Sequence, residues 1–138
     1  MTTIAWDGIR IASDSRTICG GVIVNDHERK LFKLDGGAFL GTCGETCRAA
    51  ELIDWITTNT KHSGIEISGL YVDGSRGYLY EGCTKAQRVK PPYAIGSGAG
   101  YALAAMRAGA DAVKAVRIAA GLDPGTGGRV RVVRCVDG

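Results

Sequence analysis

The chain has 138 residues, 45% of them apolar and 22% charged, with a formal net charge of +3. That length accommodates one domain with its own core, and so weak and dispersed a positive charge excludes a dedicated nucleic-acid binder. Five cysteines without a C-x-x-C pair, together with His27 and His62, provide neither a disulfide framework nor a structural zinc site.

Thr3 to Trp6 and Ile9 to Ala12 read as strands around Asp7-Gly8, a dipeptide favoured in type I′ hairpin turns. Asp35-Gly36 recurs between Lys30–Leu34 and Ala38–Thr42, and Asp73-Gly74 between Leu70–Val72 and Tyr78–Tyr80, so three hairpin signals predict antiparallel sheet. A helix is expected from about Glu45 to Thr57, because Ala49, Leu52, Ile53 and Ile56 have the spacing of one buried face. Asn59 to Ser68 is polar and reads as a connection. Pro91-Pro92 mark a loop before a short strand at Tyr93–Ile95. Ser97 is a good N-cap for a second helix with a face of Ala102, Ala105 and Met106. Gly109 interrupts that helix, and Asp111 caps a third, which carries Val113, Val116 and Ala120 and has Gly121 as its C′ residue. Asp123-Pro124-Gly125 is a turn, and Arg129–Val136 is the last strand, with Arg129, Arg131 and Arg134 on a solvated face. The succession of strands, helix, strands, two helices and strand predicts an α+β fold, a single domain over residues 1–138.

Chemistry concentrates at the N-terminus. With Met1 removed, Thr2 presents a hydroxyl and a free α-amine on one residue. A threonine hydroxyl is a weak nucleophile until a base takes its proton, and an α-amine with an ordinary pKa of about 7.7–8.0 is such a base near neutrality. Taken alone, Thr2 reads first as a polar residue of the first strand. No other motif competes: Gly96-Ser97-Gly98-Ala99-Gly100 places its third glycine one residue too early for a dinucleotide loop, and no Walker lysine is present. Cys43 has no histidine placed beside it. Phe39 precedes Gly41 by two and shares its side of a strand, as a pocket residue or as core.

From Thr2-Thr3-Ile4 the chain resembles the proteasome β-subunit family and the HslV-type peptidases. The resemblance continues through Ile11-Ala12-Ser13-Asp14, Arg29-Lys30-Leu31-Phe32, Gly41-x-x-Gly44, Ala94-Ile95-Gly96-Ser97-Gly98 and Asp123-x-x-Thr126-Gly127-Gly128. It implies a four-layer αββα sandwich of the N-terminal-nucleophile type. It makes Thr2 the nucleophile, Lys30 the catalytic lysine, Asp14 its acidic partner and Gly41 the oxyanion donor. Ser97, Asp123 and Thr126 become supporting residues, the last standing where the family usually has serine. Beside this, Phe39 and Cys43 are candidates for a substrate pocket, with core packing the other reading for Phe39 and the better one for Cys43. Thr-dependent peptide hydrolysis, a peptide or unfolded-protein substrate, a homo-oligomeric ring and an ATP-dependent unfoldase partner follow from the resemblance, with no cofactor or metal. Other readings are an amidohydrolase acting on a small amide, or a silent assembly subunit of the same fold.

The chain departs from the family between Asn59 and Leu70, where relatives carry a second long helix, so a reduced outer helical layer is expected. No leader precedes Met1, so activation would rest on removal of that residue. Asp7 interrupts the opening apolar stretch, no signal peptide or membrane span is visible, and a cytoplasmic protein with reduced thiols is expected.

Overall fold

Short apolar runs separated by glycine-containing turns fold here into two stacked antiparallel sheets. The structure, a computed structural model, describes residues 2–44, 49–58, 67–81 and 86–136. The first sheet contains β1 (Ile4–Trp6), β2 (Arg10–Ser13), β10 (Tyr93–Ile95) and β11 (Arg131–Arg134), in the order β10-β1-β2-β11. The second contains β5 (Leu31–Lys33), β6 (Phe39–Gly44), β7 (Ile67–Asp73), β8 (Arg76–Glu81) and β9 (Gln87–Val89), in sequential order. A separate two-stranded ribbon is formed by β3 (Thr17–Cys19) and β4 (Val22–Asn25).

Alternation along the strands divides the apolar residues among three layers of core. Ile4, Trp6, Ile11, Leu31, Leu70, Val72, Leu79 and Ile95 fill the space between the sheets. On the outer side of the first sheet, Ala5 and Ala12 meet α2 (Ala99–Arg107) and α3 (Ala112–Leu122) through Ala102, Met106, Ala112, Ala115, Val116 and Ala119. On the outer side of the second, Leu40 and Ile67 meet α1 (Ala49–Thr58) through Ala49, Leu52 and Trp55. The result is the four-layer αββα arrangement, with α1 covering the second sheet among the described residues.

All three hairpins form, with their turns displaced from the expected dipeptides. Trp6 pairs with Ile11, and the Asp7 N–H bonds to the Arg10 carbonyl, so the turn centres on Gly8 and Ile9. The Asp7 carboxylate, outside the centre, accepts from the N–H groups of Ile9 and Arg10. Asp73 pairs with Arg76 around Gly74 and Ser75, and the middle connection is a 3-10 turn over Asp35–Gly37.

The helices also correct details. The expected start of α1 at Glu45 lies outside the described residues, and Trp55 belongs to its buried face. The cap of α2 is Gly98 rather than Ser97, whose hydroxyl is used elsewhere. Asp111 does cap α3, accepting from the Lys114 N–H at 2.8 Å. The face of α3 is rotated toward Ala112, Ala115 and Ala119, because small side chains let it lie close on β1 and β2; Gly121 falls inside its last turn. Ile67 and Ser68, expected in a connection, begin β7, and the last strand is shorter than Arg129–Val136. Arg129, Arg131 and Arg134 do not share one face: Arg131 stands opposite Ser13 with its side chain on the intersheet side, and Arg134, three residues on, points the other way.

Candidate active site

Thr2 lies two residues before Ile4, the first residue of β1, on the strand flanked by β2 and β10, and is 2% exposed. Its carbonyl accepts from the Gly98 N–H at 3.2 Å. The approach is close because Gly96 has φ +101°, and a side chain there would strike the Thr2 carbonyl. The β10–α2 turn therefore clasps Thr2 from one side.

Lys30 comes from the other sheet, one residue before β5. Its ammonium donates to Thr2 Oγ1 at 2.9 Å, to Asp14 Oδ1 at 2.9 Å and to the Arg16 carbonyl at 2.6 Å. Three acceptors match the three N–H bonds of an ammonium group. The side chains of Lys30 and Asp14 are each 1% exposed, so their ion pair lies where water screens it little.

Asp14 is saturated with donors. Oδ1 accepts from the Thr3 N–H and from Lys30, and Oδ2 accepts from the N–H groups of Gly127 and Arg16. One buried carboxylate thus joins the segment leading into β1, the lysine and the loop after α3.

A second network approaches the Thr2 nitrogen. The Thr2 N–H donates to Ser97 Oγ at 3.1 Å, and the Ser97 hydroxyl donates to Asp123 Oδ2 at 2.6 Å. Thr126 Oγ1 donates to the same oxygen at 2.7 Å, and Thr126 lies 2.7 Å from Thr3 Oγ1. Each hydroxyl has one proton, so Thr3 must donate to Thr126, which donates to Asp123. The Asp123 carboxyl is raised by desolvation, but the hydrogen bonds from Ser97, Thr126 and the Gly125 N–H outweigh this and hold it below the usual range.

Thr2, Asp14 and Lys30 are thus in direct contact, and Ser97, Asp123 and Thr126 form one chain of bonds to the Thr2 nitrogen. Gly41 is placed differently. It lies inside β6, paired with Leu31 on one side and Leu70 on the other, and a Cβ there would meet Ile4. The Thr42 N–H bonds to the Lys30 carbonyl, so the alternation of an antiparallel ladder turns the Gly41 N–H toward β7. Phe39 and Cys43 share the intersheet face with Gly41 and are half-buried against the central core. Burial raises the Cys43 thiol pKa, which suits packing better than nucleophilic chemistry.

Sequence reasoning missed two members. Thr3 Oγ1 closes the second network, and the Arg16 carbonyl receives Lys30 while its guanidinium is held by Asp26 and the Pro124 carbonyl. A backbone acceptor leaves no mark in a sequence, and a threonine beside Thr2 reads as an ordinary strand residue. Among the described residues no helix is long and apolar enough to cross a membrane, and no cluster of three or more His, Cys, Asp or Glu could hold a metal ion.

In sequence, the chain matches no family model and no curated protein. In structure it is similar to BPH from Thiobacillus denitrificans, with a TM-score of 0.75, 20% identity and 96% of each chain covered. It is similar to eukaryotic HslV from Trypanosoma brucei, with a TM-score of 0.77, 20% identity, and 96% of this chain and 97% of that chain covered. It also matches BPH in complex with epoxomicin, with a TM-score of 0.71, 19% identity, and 99% of this chain and 100% of that chain covered. With a TM-score of 0.77 and near-complete coverage of both chains, this αββα chain has the N-terminal-nucleophile hydrolase fold that HslV has.

Proposed function

We propose that this chain is a threonine peptidase working in a proteasome-like particle, with Thr2 as nucleophile once Met1 is removed. The observation that carries this is the Lys30 ammonium bonded at once to Thr2 Oγ1 and to the buried Asp14. A purely structural threonine has no use for a desolvated cation on its hydroxyl.

The freed Thr2 amine takes the Oγ proton, and Oγ attacks the peptide carbonyl carbon. The tetrahedral intermediate collapses as the C–N bond breaks, and the amine passes the proton to the departing nitrogen. Water, deprotonated by the same amine, then hydrolyses the acyl ester and restores Thr2. Lys30 stabilises negative charge on Oγ, and its positive charge lowers the pKa of the neighbouring amine. Ser97, anchored by the Asp123 carboxylate that Thr126 also bonds, orients that amine. The resemblance gives the oxyanion to the Gly41 N–H. Because that N–H is turned to β7, Gly41 acts first as the gap that admits Ile4, and it becomes an oxyanion donor only if substrate draws this part of β6 from the ladder.

Phe39 and Cys43 would line the substrate pocket. A ring of identical subunits belongs to the same reading and is supported by Val22, Ile23 and Val24, which are 61%, 49% and 55% exposed in succession. An unfoldase partner, a cytoplasmic setting and independence of any cofactor remain parts of this proposal resting on resemblance. The test is hydrolysis of unstructured peptides by wild type and Thr2→Ala, with intact mass reporting Met1. Wild-type protein lacking Met1 should turn over substrate, and folded Thr2→Ala should not. Equal turnover by the two would refute the assignment.

A further inference from the structure

Three arginines converge on a concavity that the peptidase chemistry does not use. It lies at the open edge of the sandwich, where β5 and β11 are the terminal strands of their sheets. Its volume is about 450 Å³, and its lining includes Arg29, Arg129, Arg131, Leu31, Val130 and Val133. No carboxylate lines it, and among the described residues none pairs with any of the three guanidiniums. Arg131 is instead oriented by oxygens, donating to Ser15 Oγ and to the His27 carbonyl, each at 3.3 Å. Arg29 donates to the Leu31 carbonyl at 3.0 Å and lies over the Phe32 ring. Across the ladder from Arg131, the buried Ser13 Oγ has no hydrogen-bond partner among the described residues.

Like charges gathered without counter-charge repel one another, at a cost that a bound anion removes. A half-buried apolar floor strengthens that attraction by limiting screening, and planar guanidiniums match oxyanions in bidentate fashion. We propose that this concavity is a binding site for a multiply charged oxyanion, carboxylate or phosphate, with Arg131 as the fixed donor and Arg29 and Arg129 as closing arms. The site is independent of the peptidase reading, although Leu31 follows Lys30 and Ser15 follows Asp14, so occupancy would be felt one residue away from the buried ion pair.

The experiment is isothermal titration of the full chain with pyrophosphate and, separately, with citrate, at low and high salt. Saturable binding of at least one probe is expected, weakening as salt rises. Arg129→Gln, whose exposed side chain makes no hydrogen bond or ion pair among the described residues, should lower affinity at least tenfold, as should Arg131→Gln; Arg107→Gln, at the end of α2, should not. Preference for citrate would identify a carboxylate ligand, and preference for pyrophosphate a phosphate ligand. Absence of binding by both probes, or equal loss in Arg107→Gln and Arg129→Gln, would overturn the proposal. Because Arg129→Gln leaves the fold contacts intact, misfolding of Arg131→Gln would not rescue it.

Discussion

The two sheets of this sandwich differ in what they bury. The sheet of β10, β1, β2 and β11, with the segments that continue its strands, encloses Thr2, Thr3, Ser13, Asp14 and Ser15 as well as its apolar residues. The sheet of β5 to β9 encloses chiefly Leu40, Ile67, Leu70, Val72 and Leu79. Lys30, at the entrance to the second sheet, is the one buried cation among the described residues, and it reaches across to the first. The comparison teaches a division of labour. One sheet desolvates polar groups and orients them, and the other supplies an apolar wall that holds the lysine against them.

The largest effect should come from cutting the bridge between the halves. Lys30→Met leaves Asp14 buried without its cation, at a cost of about 3–5 kcal/mol in stability. It also removes the charge beside Thr2 Oγ1, so the peptidase rate should fall at least about 100-fold, with the rising limb of residual activity moved to higher pH. Lys30→Arg should also fail, because a planar guanidinium does not replace a compact ammonium among three close acceptors. Adding Asp14→Asn to Lys30→Met should recover much of the stability, measured by denaturant unfolding, and none of the rate. Folded single variants with wild-type rates would return Lys30 to a structural role.

The apolar half should answer in the opposite way. Leu52 of α1 is fully buried beneath β6 and β7. Leu52→Ala should therefore cost about 2–5 kcal/mol. Its kcat/KM per folded molecule should stay within about twofold of wild type, since a uniform loss of packing leaves the reacting groups where they were. A proportionate fall in rate at temperatures where the variant is folded would show that the halves are not separable.

How far these differences are legible in the sequence follows the same division. Asp-Gly dipeptides announce the hairpins and apolar spacing the helices, and the polar groups gathered around Thr2 lie in short motifs distributed along the chain. The ribbon of β3 and β4 was missed although Gly20-Gly21 lies between β-branched residues; both glycines have positive φ, as a two-residue hairpin turn needs. β9, with the sequence Gln-Arg-Val, carries no strand signal of its own and exists because β8 offers it an edge. The face of α3 includes the expected Val116, with Val113 at its margin, but centres on alanines, because a hydrophobic count favours valine whereas close approach to a sheet rewards alanine. The direction of the Gly41 N–H depends on ladder register, which no local pattern encodes.

A smaller effect concerns the clasp around the Thr2 nitrogen. Asp123→Asn keeps the shape and removes the charge that receives the Ser97 and Thr126 hydroxyls. Both hydroxyls bond Oδ2 and the Gly125 N–H bonds Oδ1, so the amide nitrogen must face a donor at either position, and a neutral, misplaced acceptor orients Ser97, and through it the amine, less firmly. The rate should fall by about 10–100-fold, the low end for a positioned catalytic group, with KM little changed. Thr126→Ser keeps the hydroxyl and should remain within about threefold of wild type, whereas Thr126→Val should resemble Asp123→Asn. Steady-state kinetics on the three variants separates a hydrogen-bonding role from loop packing, since valine fills the space of threonine without its bond.

The smallest effect is the pH dependence of stability that the same carboxylate contributes. The hydrogen bonds around Asp123 hold its folded pKa below that of the unfolded chain, even against desolvation. A depressed carboxyl contributes stability that is fully present above the unfolded pKa, ordinarily about 3.9, and lost as pH falls through the folded value. Near neutrality the contribution is complete. The carboxylate is only partly buried, so solvent screening limits it to about 0–1 kcal/mol. Wild type should accordingly lose slightly more stability than Asp123→Asn between pH 5 and the acid end of the unfolding series, about a tenth of an ordinary domain's stability at most. Denaturant unfolding of both proteins at each pH gives the difference, and the difference should vanish in strong acid, where wild-type Asp123 is protonated too. A gap that widened as pH rose above neutrality would assign the effect to another group, and the carboxylate would then serve the Thr2 clasp by geometry alone.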